Sequence, residues 1–274
     1  PILADKHPDA PSVFEPTVLL REARRQKRLA LVEVPPLCIL DPDGDIVRHL
    51  KRSGLAERID EWPCYHTDLY RFSLGSQTCG IIGCAVGAPF AVLVAEELFA
   101  CGCRLLISLT SAGQIVPAGA PPYFVIIDKA LRDEGTSYHY AAANVFAEAD
   151  PGLVEAARRA LSGAGLRAYV GASWTTDAPF RETAEAIEAA RAKGLLAVEM
   201  EAAALYALAQ AKGYPIVCIA HVTNAMDRRE NDFEKGERSG NAAFVRLITT
   251  LAQSWRDRPA GATAAGSRRA RRAP

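Results

Sequence analysis

The chain carries no surplus of either charge: 32 Lys and Arg residues face 32 Asp and Glu residues over 274 positions. Without a positive excess to displace counterions from phosphates, nucleic-acid binding through bulk charge is excluded. Long apolar runs are missing too. Glycine, proline or a charged residue interrupts each one well short of the roughly 18 residues that a transmembrane helix needs, so no membrane span is expected. The opening segment PILADKHPDAPSVFEP lacks the apolar core of a secretory signal, and a cytoplasmic location is expected. The seven cysteines, at 38, 64, 79, 84, 101, 103 and 218, are odd in number and form no C-x-x-C pair, which argues against a disulfide framework or a zinc knuckle. Those at 38, 79, 84 and 218 sit in Val/Ile/Leu-rich runs as small hydrophobes, in keeping with a reducing compartment. The five histidines show no metal-ligand spacing, no G-x-S-x-G elbow occurs, and Gly75, Gly80, Gly83 and Gly87 do not make the G-x-G-x-x-G of a dinucleotide site. An EF-hand loop begun at Asp41 would need glycine at position 46 and an acid at 52, where Ile46 and Arg52 stand. Neither a metal nor an organic cofactor is expected.

What is present is an alternation of short apolar runs and helical stretches. PLCIL (36–40), TCGIIGCAV (78–86), RLLISL (104–109), YFVIID (123–128), LRAYVGAS (166–173), LLAVEM (195–200) and YPIVCIAHV (214–222) read as strands. Helices are expected at IVRHLKRSG, FAVLVAEELFACG, PGLVEAARRALSGAG, AAALYALAQAKG (stopped by Gly213) and GNAAFVRLITTLAQSW. Strands that are apolar throughout must be covered on both faces, so the fold is α/β: a mixed or parallel central sheet between helices, in one domain over 1–255. From residue 256 the composition turns to Ala, Gly, Pro and Arg without periodicity, as in a disordered basic tail over 256–274.

Ligands of open α/β sheets bind beyond the carboxyl ends of the strands. Here those exits hold Asp41-Pro42-Asp43-Gly44-Asp45 with Arg48, Gly87-Ala88-Pro89, Thr110-Ser111-Ala112-Gly113, Thr175 through Arg181, Glu199-Met200-Glu201, and Thr223 through Asp227. Gly44, Asp45 and Arg48 offer backbone N–H groups, a helix start and a guanidinium, which suit an oxyanion; a surface helix with an exposed arginine is the plainer alternative. Glu199 and Glu201 lie at a strand-to-helix junction, where a buried carboxylate needs donors. Paired sugar hydroxyls would serve, and so would the N-terminus of the following helix.

The Gly44–Asp45–Arg48 loop, the T-S-A-G turn after LLIS, LRDEGTSYHY (131–140) and VEMEAAALYALA (198–209), in this order, resemble the uridine/purine nucleoside phosphorylase superfamily over roughly residues 36–255. The resemblance implies a three-layer α/β sandwich around a mixed, partly barrel-like sheet, and subunits paired into dimers or trimers of dimers. It also implies phosphorolysis of a nucleoside N-glycosidic bond, with inorganic phosphate as co-substrate and no cofactor. Carried over by position, Glu201 holds the ribose 2′ and 3′ hydroxyls with Met200 beneath the sugar and Glu199 beside it. Gly44, Asp45 and Arg48 hold phosphate, Ser111 with Thr110, Ala112 and Gly113 lies at the phosphate–ribose junction, and Phe180 and Arg181 meet the base.

Three positions depart from that pattern. Ser108 stands where many phosphorylases have an arginine. CYHTDLYRF (64–72) has no clear counterpart of the neighbouring subunit's phosphate arginine, leaving Arg71 or His66 as substitutes. Asn224 replaces the catalytic aspartate of purine-specific members and nucleosidases; its amide can donate a hydrogen bond to the base but cannot serve as a general acid. Hydrolysis by water and a degenerate nucleoside-binding role therefore remain as alternatives, and His7 and His139 are unassigned candidates for the sugar 5′ position.

Overall fold

A computed structural model describes residues 2–225 and 239–256 of the chain, so all but the first residue of the expected tail lies outside the described residues. The helices are α1 (Pro16–Lys27), α2 (Asp45–Arg52), α3 (Ala88–Ala100), α4 (Pro151–Gly163), α5 (Ala184–Ala192), α6 (Ala202–Lys212) and α7 (Ser239–Arg256). The strands are β1 (Leu37–Asp41), β2 (Ala56–Arg58), β3 (Tyr70–Leu74), β4 (Gln77–Gly83), β5 (Leu105–Gln114), β6 (Tyr123–Asp133), β7 (Phe146–Glu148), β8 (Ala168–Thr176), β9 (Ala197–Glu199) and β10 (Ile216–Ala225). No described helix is long and apolar enough to cross a membrane.

The sheet runs β10-β6-β8-β9-β5-β1-β4-β3-β2, and β5 also pairs with β10. That extra pairing closes β10, β6, β8, β9 and β5 into a small barrel, from which β1, β4, β3 and β2 extend as an open wing. Pairing is mixed: β1 is parallel to β4 and β5, and β5 to β10, while β9 runs antiparallel to β5 and β6 antiparallel to β10. The alternation of a pleated strand decides which helices cover which face. Cys38 and Leu40 of β1 join the core beneath α1, α3 and α6, while Leu37 and Ile39 join the core beneath α2, α4 and α7. The result is the three-layer α/β sandwich expected from the sequence.

Helix α6 is apolar on every side, and Ala202 through Leu208 are all buried. A helix of that kind has no face for water and must be sandwiched; its alanines let it approach both the barrel and α3 closely. Gly213 ends it in the left-handed conformation (φ 69°), as the sequence indicates. The Tyr206 hydroxyl fastens α6 to the barrel, donating to the Ile127 carbonyl (2.6 Å) and accepting from the Cys218 amide (3.0 Å).

Several elements differ from the sequence reading. The T-S-A-G run is not a turn: β5 continues to Gln114, because β10 pairs with Ser111 and Ala112 on one side and β9 with Gly113 and Gln114 on the other. Extended backbone at those residues is fixed by barrel closure, a non-local effect. Helices α1 and α5 and strands β2, β3 and β7 carry weak local patterns; α1 buries only Leu20 and Ala23.

Tyr206→Phe would leave a buried carbonyl and a buried N–H without their shared partner. We expect a loss of about 1–3 kcal/mol, read as a lower urea midpoint at unchanged slope. An unaltered midpoint would mean that the hydroxyl does not hold α6 in place.

Candidate functional site

Two carboxylates two residues apart have opposite surroundings. Glu199 ends β9 and points inward. Its Oε1 accepts from the hydroxyls of Ser173 (2.9 Å) and Thr175 (2.5 Å), and its Oε2 from the amides of Glu201 and Ala202 (2.7 Å each). Thr175 Oγ1 in turn accepts from the Ala203 amide (3.0 Å). The first amides of α6, which have no partner inside the helix, are thus met by Glu199 and Thr175. The oxygens of Glu199 are met by the protein, which gives it the helix N-terminal role that the sequence left open beside substrate binding.

Glu201 is 2 % exposed. Oε1 accepts from the Gly87 amide at 2.8 Å, whereas Oε2 is sealed from solvent and accepts no hydrogen bond from the described residues. Burial first, and the charge of Glu199 second, push its pKa up to about 8. The Thr110 hydroxyl, which also bonds the Ser111 carbonyl (3.2 Å), pulls it partly back. Burial raises the Glu199 carboxyl as well, against the pull of its four donors; Glu201, with a single backbone donor and a pKa of about 8, holds a proton near neutrality.

The second component is the loop between β1 and α2. Asp41 is buried and caps α2 through Val47 N (3.0 Å), and burial pushes it up to about 7. Gly44 lies at φ 74°, and a Cβ there would stand 2.5 Å from Cys84 Sγ and 2.9 Å from Arg48 Nη1. Only glycine fits both the conformation and the space. Cys84, just beyond β4, is itself in the left-handed region (φ 64°), strained for a residue with a side chain. The Arg48 guanidinium donates to the Asp43 carbonyl (2.8 Å), pairs with Asp45 and lies 3.8 Å from Cys84 Sγ. Asp43 then reaches across to β5, where its Oδ2 accepts from the Ser111 amide at 2.8 Å.

These contacts join the sequence candidates in one place. Glu201 touches the β4–α3 loop through Gly87 and β5 through Thr110; Asp43 links Arg48 to Ser111. Ala112 and Gly113 continue β5 beside β9 and β10. Met200 is half-buried next to Glu201, and Ser108 is buried one pleat below Thr110 on the same side of β5. Phe180 and Arg181 are not gathered in: they lie on a short 3-10 turn (Pro179–Arg181) after β8, and Phe180 is 98 % exposed. The backbone of Asn224 pairs with Gly113 across a register shift in β10; its side chain, with Met226 and Asp227, lies outside the described residues. His139 meets Lys6 (3.0 Å) on a turn that Arg132 holds through Ser137, Ala141 and Ala142. Sequence reasoning gave no role to Asp43 or Thr175, and it counted Cys84 among the small hydrophobes, whereas Cys84 is exposed beside Gly44 and Arg48. For Asp43 the signal was available, since a second carboxylate stood directly before the glycine of the loop.

Comparison with known proteins accords with this geometry. Residues 36–253 match the phosphorylase superfamily. The uridine phosphorylase of Thermococcus kodakarensis is 27% identical over 239 residues, covering 77% of this chain and 84% of that protein. A guanosine phosphorylase of Halorubrum lacusprofundi is 29% identical over 133 residues, 48% of this chain and 55% of that one. Among solved structures, uridine phosphorylase from Vibrio fischeri complexed with 6-hydroxy-1-naphthoic acid superposes with a TM-score of 0.70 at 21% identity, covering 85% of this chain and 99% of that one. Purine nucleoside phosphorylase from Toxoplasma gondii in complex with immucillin-H gives 0.69 at 18% identity, with 82% and 92% covered. At these identities the superpositions establish a shared fold.

The two glutamates should separate experimentally. Glu199→Ala removes four hydrogen bonds and should cost about 2–4 kcal/mol of stability. Glu201→Gln should keep the fold. A carboxyl raised from 4.5 to about 8 stabilises the folded state below its unfolded value, and that stability is lost as pH rises through the folded one. The melting temperature of Glu201→Gln relative to the parent should therefore climb between about pH 5 and 9. A pH-independent difference would refute the buried, protonated carboxyl.

Proposed function

Since the chain belongs to the phosphorylase superfamily, we propose that it cleaves the N-glycosidic bond of a nucleoside by phosphorolysis, releasing a free base and pentose-1-phosphate. The observation that carries this reading is Glu201 Oε2, a buried acceptor without a hydrogen bond from the described residues. Such an oxygen is costly to keep unless a ligand supplies donors, and the vicinal hydroxyls of a pentose are suitable ones. Their arrival favours the ionised form, so the proton on Glu201 leaves as the sugar binds.

With the sugar gripped by Glu201 and cushioned by Met200, phosphate lies against Gly44, Asp45, Arg48 and Ser111. There it faces the anomeric carbon from below. As the C–N bond breaks, its electron pair leaves with the base, positive charge develops on the ribose ring, and a phosphate oxygen closes on the anomeric carbon. The anion and the carboxylate both stabilise that charge. The departing base is helped by a hydrogen bond from Asn224 at the end of β10. The reaction needs no cofactor, only phosphate. Exposed Phe180, with Val86 and Leu93, fits an assembled homo-oligomer in which a second copy completes the base side. We place the enzyme in the cytoplasm.

Ser108 favours a second reading, hydrolysis by water, because it removes a cation that would hold phosphate. Base release from a panel of purine and pyrimidine nucleosides, with and without phosphate, decides between them: phosphorolysis requires phosphate-dependent release and a pentose-1-phosphate product. Arg48→Ala should then raise the KM for phosphate about tenfold or more, the worth of a charge-assisted hydrogen bond, and change the KM for nucleoside much less. Light scattering should give a mass of two or more chains; a strict monomer would leave the base side without its second copy.

A further inference from the structure

Outside Glu201, the charged group that the proposed chemistry leaves unused is Asp43. We propose that Asp43 is a built-in competitor for the anion site, its carboxylate occupying the Ser111 amide that an incoming phosphate needs, so that this residue sets how tightly the protein holds phosphate. The inference rests on the reading of the Gly44–Arg48 loop as a phosphate site.

The geometry is direct. Asp43 Oδ2 accepts from Ser111 N at 2.8 Å, and the Asp43 carbonyl accepts from Arg48 Nη2, also at 2.8 Å. Arg48 is further paired with Asp45. The backbone donor on β5 and the guanidinium at the start of α2 are therefore both turned toward oxygens of Asp43. Between β1 and the first turn of α2 the chain places Asp41, Asp43 and Asp45 against the single cation Arg48. Phosphate, a dianion near neutrality, meets this acidic loop and must displace a carboxylate of its own sign to reach Ser111. Asp45 does not play the same part, because it sits in the first turn of α2, where a negative charge is favourable. Asp43 can give way. It is half-buried and sits directly before Gly44, the left-handed pivot of the loop. Its charge is also felt at Glu201, whose pKa it helps to raise, so its displacement and the ionisation of Glu201 favour one another.

The test compares the parent with Asp43→Asn and Asp43→Ala. Inorganic phosphate binding is measured by calorimetry, and the KM values for phosphate and nucleoside by steady-state kinetics. Asparagine keeps the size and the acceptor oxygen but loses the charge, so it stays informative if alanine unfolds the loop. We expect both variants to bind phosphate about fivefold tighter or better, close to 1 kcal/mol, with the KM for phosphate falling and that for nucleoside shifting less than about twofold. Folded variants that bind phosphate no tighter than the parent, or phosphate binding to none of the three, would overturn the proposal. The two readings fail separately. Tighter phosphate binding by Asp43→Asn together with phosphate-independent base release would sink phosphorolysis and leave the competitor intact. Phosphate-dependent release with unchanged phosphate affinity would do the reverse.

Discussion

A carboxylate sealed inside a protein needs either donors or a proton, and the site follows from how that requirement is met at the β9–α6 junction. Glu199 receives four donors, two hydroxyls from β8 and two amides from the start of α6. This anchors the helix, fixes the bend at Met200, and leaves Glu201 buried with one oxygen held by Gly87. Because the inner acid takes four donors and the outer one is buried with a single backbone amide, the outer one is driven to hold a proton near neutrality. Pairing one fully satisfied carboxylate with one half-satisfied carboxylate makes a site that is stable when empty and strongly receptive to hydroxyls.

Barrel closure does the rest of the positioning. By pairing with β1, β9 and β10 together, β5 brings the exits of strands far apart in sequence to one rim. Closure is accompanied by local irregularity. Cys84 and Gly44 both adopt left-handed backbone, and β10 shifts register between Val222 and Asn224. These irregularities all fall on the rim that carries the candidate residues, whereas β1, beneath it, is regular and wholly buried. Conformational strain is tolerated where the surrounding structure over-determines it, and here it turns amides and side chains toward the cleft.

Much of this was legible in the sequence because the signals are local. VEMEAA marks a strand exit followed by an all-apolar helix, Gly44 with Arg48 marks a tight loop at a helix start, and Gly213 marks a helix end. What was not legible depends on partners distant in the chain. Ser111 and Gly113 look like turn residues but are drawn into β5 by β9 and β10. The neighbouring glutamates could not be told apart until Ser173 and Thr175 were placed beside one of them. Phe180 was expected at the base by resemblance, yet it stands in solvent in the single chain. No local pattern reveals whether an aromatic ring meets its own pocket or a neighbouring subunit.

The two halves of the cleft therefore differ in what a single chain supplies. Glu201 accepts from the Gly87 amide, and Thr110, which bonds the Ser111 carbonyl, acts on it from the buried part of the sheet. Arg48 and Ser111 are both engaged by Asp43 of the acidic β1–α2 loop. Phe180 extends into water, and the backbone of Asn224 pairs with Gly113 near the end of β10. The glutamate pair thus belongs to the folded core, while Asp43 and Phe180 stand on loops, which can change without disturbing that buried pair.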